Sequence, residues 1–177
     1  DQINLSGGPF TAECWIKVPY LKEDVTLVSN AEKKGGFRLS ISKGRPLFEV
    51  HLRDGSLVTV KPAGKDAIYA GKWHHLAGVF KSRAASLYLD GRLVGLESVE
   101  SLAEPSQYPL LIGAEVTAQP VASLFFAGRL DGIKISSDAK YDSDSFTPSR
   151  RHLPDRYTEL LLNMDDLRVL WRSDEAV

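Results

Sequence analysis

Short runs in which apolar and polar residues alternate restrict the fold of this chain more than any other feature of its sequence. Near the start, Ala12, Cys14 and Ile16 are apolar, whereas Glu13 and Lys17, at odd positions, are charged. Successive side chains of a β-strand point to opposite faces, so this period of two predicts a strand with one apolar face.

About ten such runs, separated by turn-forming residues, fill the chain up to residue 135. Asp54-Gly55 and Asp90-Gly91 predict hairpin turns, because glycine tolerates the positive φ that such turns need. No segment before residue 145 has a sustained helical period. We therefore predict an all-β fold, a sandwich of two antiparallel sheets. The predicted strands are Phe10–Val18, Val25–Ser29, Phe37–Ile41, Leu47–Arg53, Leu57–Val60, Trp73–Phe80, Ser86–Leu89, Arg92–Gly95, Leu110–Ile112 and Phe125–Ile135.

The C-terminal part of the chain has two interpretations. Leu153, Tyr157 and Leu161 fit one face of a helix, but residues 158–164 also fit a buried strand. Pro148 and Pro154 leave room for only a short helix, so we favour a loop over 147–157 followed by a strand. We expect one domain over residues 1–150 and a C-terminal extension over 151–177 that contributes one edge strand to the sandwich.

Composition excludes several classes of protein. Twenty-two Lys and Arg balance 23 Asp and Glu in 177 residues, so the chain lacks the basic excess of a nucleic-acid-binding protein. No apolar run is long enough to insert into a membrane. Cys14 is the only cysteine, which rules out an intrachain disulfide and a cysteine-based zinc site.

Four segments together resemble a known family. They read FTAECWIK at 10–17, WHHLAGVF at 73–80, LYLDG at 87–91 and FAGRLDGIKI at 126–135. In this order and spacing they resemble the laminin-G-like jelly roll of the concanavalin A-like lectin/glucanase superfamily, especially its bacterial extracellular members, over residues 3 to about 150. The resemblance implies one convex and one concave sheet, ligand binding at the concave face or the rim loops, and a location outside the cell or in the cell envelope.

The resemblance also indicates a larger parent protein. The strand that normally precedes Asn4 has no counterpart here, so we expect this segment to belong to a longer polypeptide with other domains. The tail from Leu160 to Asp165 is similar to a strand that begins or closes a neighbouring unit, and we expect it to fill the gap at the sheet edge.

Glycosidases of this fold need two carboxylates that face the same bond. No Glu-x-Asp-x-(x)-Glu pattern occurs, Glu49 is the only acid on its predicted strand, and the other acidic pairs are adjacent in sequence and would diverge. His74 and His75 are neighbours as well, so on a strand they cannot bind one metal ion. We therefore predict that the protein is not an enzyme, and keep a glycoside hydrolase or lyase as the alternative.

A lectin-like ligand site needs an aromatic surface and planar polar groups on one face. The alternation of the predicted strands places such residues away from the core, and we predict that they share one outward surface. The alternative is an ordinary solvated face with Trp15 half-buried at the sheet edge. The candidate ligand-binding residues are Trp15, Arg38, Glu49, His51, Arg53 and Tyr88.

Asp131 is the candidate metal ligand. It opens the strand LDGIKI, where related glucanases place an aspartate that binds structural calcium, so the resemblance implies calcium as a cofactor. Calcium takes six to eight oxygen ligands, and the carbonyls of Gly35 and Gly36 are one source. The alternative is a carboxylate that accepts hydrogen bonds from turn N–H groups.

Taken together, these patterns predict a non-catalytic binding module of a larger extracellular or cell-envelope protein. Carbohydrate is the preferred ligand and a protein partner is the second. A purely structural spacer domain is the remaining alternative, and it predicts a flat surface without a cleft or an apolar patch at the sheet edge.

Overall fold

The structure, a computed structural model, describes residues 3, 5, 7–21, 24–116 and 122–164, and these residues form thirteen strands. They are β1 (Phe10–Lys17), β2 (Val25–Ser29), β3 (Phe37–Ser42), β4 (Arg45–His51), β5 (Leu57–Val60), β6 (Trp73–Lys81), β7 (Ala84–Leu89), β8 (Arg92–Ser98), β9 (Leu111–Ile112), β10 (Glu115–Val116), β11 (Ala122–Ser123), β12 (Arg129–Ser136) and β13 (Thr158–Leu162). Among these residues, no helix has the length and apolar character needed to cross a membrane.

Two antiparallel sheets form the body of the fold. The six-stranded sheet has the order β13-β12-β1-β6-β7-β8, and the five-stranded sheet has the order β5-β4-β3-β2-β9. β10 and β11 form a separate pair. The all-β antiparallel sandwich predicted from the alternating pattern is therefore confirmed.

The core between the sheets is built on phenylalanine rings. The ring of Phe10 lies with its centroid 5.0 Å from that of Phe37, 6.0 Å from Phe48 and 5.7 Å from Phe80. These side chains come from both sheets, and each is at most 2% exposed. The apolar face of every long strand is thus buried against the opposite sheet, which is the main stabilising contribution to a sandwich.

The outer face of the six-stranded sheet, turned away from the core, is covered as well. Residues 137–157, the cover segment, run across it and place Tyr141 and Phe146 against Tyr88 and Val79. The hydroxyl of Thr11 donates a hydrogen bond to the carbonyl of residue 138 at 2.8 Å. The six-stranded sheet is therefore buried on both faces over much of its area.

The tail after the cover segment is a strand, as favoured from sequence. β13 pairs antiparallel with β12, with Leu162 opposite Ile133 and Leu160 opposite Ile135. Leu160 and Leu162 pack against the core, so the helical interpretation is wrong for these residues. The missing strand expected before Asn4 and the end of the tail at Asp165 lie outside the described residues.

The predicted strand over 125–135 is shorter in the structure. β12 begins at Arg129, and residues 124–128 form a loop. A Cβ at Gly128 would lie 2.7 Å from the carbonyl oxygen of Lys17, so this loop packs closely on the end of β1. The alternating pattern does not show such a packing constraint.

The Asp90-Gly91 turn joins β7 to β8 as predicted, and both residues have positive φ (51° and 76°). The carboxylate of Asp90 accepts a hydrogen bond from the backbone N–H of His75 at 2.8 Å and lies 2.8 Å from Nδ1 of His74. Burial raises the pKa of Asp90, but these hydrogen bonds and the nearby imidazoles outweigh it, so the pKa is lowered from 3.8.

A lowered pKa means that the ionised Asp90 stabilises the fold above the unfolded-state pKa and that this stabilisation is lost as the pH falls. We expect Asp90→Asn to cost about 1 kcal/mol near pH 5. The difference from wild type should narrow below pH 3.8, because the protonated carboxyl then resembles the amide. Urea unfolding from pH 5 to pH 2.5 measures this, with exposed Glu97→Gln as the control. A difference that stays constant over this range would contradict the assignment.

Gly78 in β6 packs directly against the ring of Phe48 on the opposite sheet. A Cβ there would lie 2.6 Å from Cγ of Phe48, whose ring is fully buried and already packs on Phe10. We expect Gly78→Ala to destabilise the protein by about 1–3 kcal/mol, because the overpacked ring has no space to move into. Gly64→Ala is the matched control, since the nearest atom to a Cβ there is a side-chain oxygen of Asp66 at 3.3 Å. Equal denaturation midpoints for both variants would contradict this packing.

Candidate functional site

Three of the predicted ligand-binding residues lie together on the outer face of the five-stranded sheet. Phe48 and Val50 point into the core, so the neighbouring Glu49 and His51 point outward. Arg38 on β3 is directly opposite Glu49 on β4. The sequence pattern predicted these orientations correctly.

A second carboxylate, that of Glu115, joins this pair from a distant part of the chain. Nε of Arg38 donates to Oε2 of Glu49 at 2.7 Å, and Nη1 donates to Oε2 of Glu115 at 2.6 Å. The hydroxyl of Thr26 lies 3.3 Å from the same Glu115 oxygen. Burial lowers the pKa of Arg38, but the hydrogen bonds and charges of the two carboxylates outweigh it and the pKa is raised. Glu115 lies on a two-residue strand, where no periodic pattern could have indicated its orientation.

His51 connects this charged group to one end of the sandwich. Burial is the main cause that lowers the pKa of His51, and the nearby Arg38 lowers it further, whereas Glu49 and Glu32 oppose the shift. The backbone N–H of His51 donates to the carbonyl of Gly36 at 3.0 Å, and its carbonyl accepts from the N–H of Glu104 at 2.8 Å. Two rim loops are therefore attached to the end of β4.

A cavity of about 590 Å³ opens between these loops. We call it the rim cavity; the residues that line it are Ile3, Leu5, Gly7, Phe10, Asn30, Gly36, Phe37, Val50, Arg53, Ala103, Glu104, Pro105, Ser106 and Gln107. Its volume lies in the range of small-ligand sites, which are commonly apolar with a few well-placed polar groups. Of the six predicted ligand-binding residues, Arg53 lines this cavity.

Hydrogen bonds hold the walls of the rim cavity in place. Oε1 of Glu32 accepts from the hydroxyl of Ser106 at 3.2 Å and from the backbone N–H of Gln107 at 3.0 Å. Gly36 has φ +83°, and a Cβ there would lie 2.5 Å from the carbonyl oxygen of Asn30. Only glycine allows this close approach of the two loop segments, so the cavity is formed by fixed backbone.

Arg53 and Glu104 are the charged groups of the cavity wall. Their side chains are 49% and 42% exposed, and Nε of Arg53 lies 3.9 Å from Oε2 of Glu104. A Cβ at Gly7 would lie 2.7 Å from Nη2 of Arg53, so the guanidinium packs against that backbone. At 3.9 Å the two groups do not make a direct hydrogen bond, which leaves them able to bond to a ligand.

Trp15 and Tyr88 lie elsewhere, and the expectation of one shared surface is wrong for them. Both project from the outer face of the six-stranded sheet, beneath the cover segment. Nε1 of Trp15 donates to the carbonyl of Ser149 at 2.8 Å, and the guanidinium of Arg150 lies 4.3 Å from the indole ring. Tyr88 is 2% exposed and packs against Phe146. Alternation predicts which face a side chain takes but not which sheet the strand joins.

The carboxylate of Asp131 accepts hydrogen bonds from two backbone N–H groups. Oδ1 accepts from the N–H of Gly132 at 2.6 Å and from that of Met164 at 3.0 Å, and the residue is 8% exposed. This is the hydrogen-bonding role weighed as the alternative to calcium.

The carbonyl groups expected to bind calcium, those of Gly35 and Gly36, lie at the opposite end of the sandwich from Asp131. Asp131 is opposite Trp15, whereas Gly36 precedes Phe37, whose ring packs on Phe10. Trp15 is five positions along β1 from Phe10, a distance of about 16 Å. Gly35 and Gly36 therefore do not fit a calcium shell at Asp131, and calcium at this aspartate stays a prediction without those ligands.

Glu49 is the only acid on β4, as predicted, but Glu115 on another strand approaches the same guanidinium. A glycosidase needs one protonated carboxyl and one free carboxylate. Here Oε2 of each carboxylate accepts a hydrogen bond from Arg38. The two acids and the guanidinium therefore form an ion-pair network on this face.

His74 and His75 diverge on β6 as predicted. His74 accepts a hydrogen bond at Nε2 from the backbone N–H of Tyr69 at 3.0 Å, while its Nδ1 faces Asp90. His75 faces Glu13 on the other side of the strand. The His74–Asp90 pair therefore points at a backbone amide and does not activate a nucleophile.

The two facing antiparallel sheets define a jelly-roll sandwich, the class of fold found in lectins and glucanases of the concanavalin A type. Residues 1–144 match the laminin-G-type family model of the concanavalin A-like lectin/glucanases superfamily, and the chain belongs to this family. The family resemblance predicted from the four sequence segments is confirmed. A comparison with the curated proteins finds no match to this sequence.

Solved structures share the fold at low sequence identity. A Bacteroides ovatus protein with a proposed carbohydrate-binding function superimposes with a TM-score of 0.66 at 15% identity, over 90% of this chain and 46% of that chain. Domains LG4-5 of the mouse laminin α1 chain superimpose with a TM-score of 0.62 at 18% sequence identity, over 88% of this chain and 43% of that chain. The CBM40 of Ruminococcus gnavus IT-sialidase superimposes with a TM-score of 0.65 at 16% sequence identity, over 78% of this chain and 80% of that chain. This chain spans less than half the length of the first two.

Removing the guanidinium should show how far the ion-pair network supports the five-stranded sheet. In Arg38→Met, two carboxylates that are each 12% exposed lose their shared cation. We expect a loss of about 1–3 kcal/mol in unfolding free energy, because charges with little access to water are left unpaired. Adding Glu49→Gln and Glu115→Gln to this variant should recover at least half of the loss.

The matched control for this prediction is Arg92→Met. Arg92 pairs with Asp66 through a side chain that is 66% exposed, so we expect a change below about 1 kcal/mol. Chemical denaturation of all four proteins measures the effect. Equal losses in Arg38→Met and in the triple variant would show that the lost packing of the arginine, and not its charge, is what matters.

Proposed function

We propose that this chain is a non-catalytic binding module that recognises carbohydrate through the rim cavity. The observation that carries the proposal is the cavity itself: about 590 Å³ of space with an apolar floor formed by core residues such as Phe10 and Phe37 and with polar groups on its wall. Such a combination suits a ligand with both apolar and hydroxyl-bearing surfaces.

The polar groups of the cavity wall suit sugar hydroxyls. Arg53 is a planar donor and Glu104 a planar acceptor, and the 3.9 Å between them lets a hydroxyl group donate to one while it accepts from the other. Asn30 contributes a further amide to the lining. Tyr108, which is 40% exposed and follows the cavity residue Gln107, supplies an aromatic ring at the rim for stacking.

The comparisons support a binding role without naming a ligand for this chain. The structures of similar fold include the Ruminococcus gnavus CBM40, which has been solved bound to α2,3-sialyllactose, and the binding domain of a paraclostridial mosquitocidal protein. We propose a non-catalytic role because the carboxylates of Glu49 and Glu115, which lie together on the open sheet face, are both bound by Arg38. By family, the module acts outside the cell or in the cell envelope as part of a longer polypeptide.

Binding to a glycan array, followed by calorimetry with the best oligosaccharide, tests the proposal. We expect Arg53→Ala and Glu104→Gln each to weaken binding about tenfold or more, the loss expected for one hydrogen-bonding group of a small-ligand site. Arg129→Ala is the control: this exposed arginine is opposite Lys17 at the far end of β1, so its removal should leave the affinity unchanged.

Three results would overturn the proposal. The first is an array with no signal above background. The second is binding that Arg129→Ala weakens as much as Arg53→Ala. The third is cleavage of the oligosaccharide, which would revive the hydrolase alternative and direct attention to Glu49 and Glu115.

A further inference from the structure

Three potential metal ligands meet on the side of the molecule opposite the five-stranded sheet. Glu13 comes from β1, His75 from β6 and His152 from the cover segment, and they are 1%, 0% and 6% exposed. None of them lines the rim cavity. The proposed function uses none of these residues.

The strand register explains how two of the three come together. His75 is opposite Trp15 on the neighbouring strand, and Glu13 lies two residues further along the same outer face. The cover segment brings the third: the side-chain amide of Asn163 donates to the carbonyl of His152 at 3.0 Å. A Cβ at Gly132 would lie 3.0 Å from Cδ2 of His152, so glycine there leaves space for the imidazole.

The distances between the three side chains are close to those of a zinc site. Oε2 of Glu13 lies 3.2 Å from Nε2 of His75 and 3.9 Å from Nε2 of His152. One ligand atom from each residue lies within 4.8 Å of the others. Tetrahedral ligands at zinc distances are about 3.4 Å apart, so a small inward movement of His152 on its loop would bring the three side chains to tetrahedral spacing. A water molecule would then be the fourth ligand.

Among the residues that the structure describes, two buried ring nitrogens in this cluster have no hydrogen-bond partner. They are Nδ1 of His75 and Nε2 of His152, and the second is the atom that faces Glu13. Buried polar atoms without partners are uncommon, and an ion bound between Glu13 and His152 would give Nε2 of His152 a partner. The hydroxyl of Tyr141 donates to Oε2 of Glu13 at 2.6 Å, which holds the carboxylate in place as outer partners of metal ligands do.

We propose that Glu13, His75 and His152 bind one divalent zinc-class metal ion that fastens the cover segment to the six-stranded sheet. Two imidazoles and one carboxylate suit zinc, whereas calcium and magnesium take mainly oxygen ligands. Cys14 does not take part, because it points into the core on the opposite face of β1. The ion is structural, since the site is buried beneath the cover segment.

Metal titration of the whole chain after treatment with a chelator tests this proposal. We expect one equivalent of zinc to bind, and a rise in melting temperature of about 5–10 °C when zinc is a hundredfold above its dissociation constant. Excess calcium should not displace the bound zinc, because this ligand set is poor in oxygen. Cobalt(II) should give visible d–d bands of a four- or five-coordinate site and no thiolate-to-cobalt band.

Histidine variants assign the site. His152→Gln should lose the bound equivalent and the rise in melting temperature, and Glu13→Gln should weaken zinc binding at least tenfold. His51→Gln is the matched control, because it removes a histidine from the outer face of the other sheet, and it should bind zinc as the wild type does. The cobalt spectrum of the wild type needs no variant, so the test stands even if a substitution prevents folding.

Other outcomes overturn the proposal. If chelated wild-type protein binds less than a tenth of an equivalent of zinc, the cluster is a hydrogen-bonded network only. If His51→Gln loses zinc and His152→Gln keeps it, the ion binds elsewhere. A thiolate-to-cobalt band would place the ion on Cys14.

Discussion

Both faces of β1 are buried, and the rest of the architecture depends on how each face is covered. Its even-numbered side chains enter the core between the sheets, where Phe10 contacts three other phenylalanine rings. Its odd-numbered side chains include the polar Thr11 and Glu13, which are at most 1% exposed. Polar groups buried in this way need partners, and the cover segment supplies them, through the carbonyl of residue 138 and the hydroxyl of Tyr141.

The five-stranded sheet has the opposite character. Its outer face carries an ion-pair network around Arg38, and the loops before β3 and after β4 surround an open cavity. Because the six-stranded sheet is covered by the chain itself, ligand access is available at the other sheet and its rim. The same arrangement that separates Trp15 and Tyr88 from the predicted surface therefore leaves Arg53 where a ligand can reach it.

Local sequence patterns predicted most of the longer strands, the hairpin at Asp90-Gly91, the favoured C-terminal strand and the outward direction of Arg38, Glu49 and His51. These features depend on neighbours in sequence, which a period of two reports directly. The partners of the buried polar groups could not be predicted in this way. Glu115 is 77 residues from Arg38, and Tyr141 is 128 residues from Glu13, so only the topology brings them together. The calcium ligands expected at Gly35 and Gly36 failed for the same reason.

The central claim is that the rim cavity, and neither the covered sheet nor the Arg38 network, binds the ligand. A ¹⁵N–¹H NMR titration with the oligosaccharide selected by array tests it most directly. We expect the largest shift changes at Asn30, Gly36 and Arg53, with the substrate recovered intact. Changes concentrated in the cover segment, or release of a shorter sugar during the titration, would contradict this account.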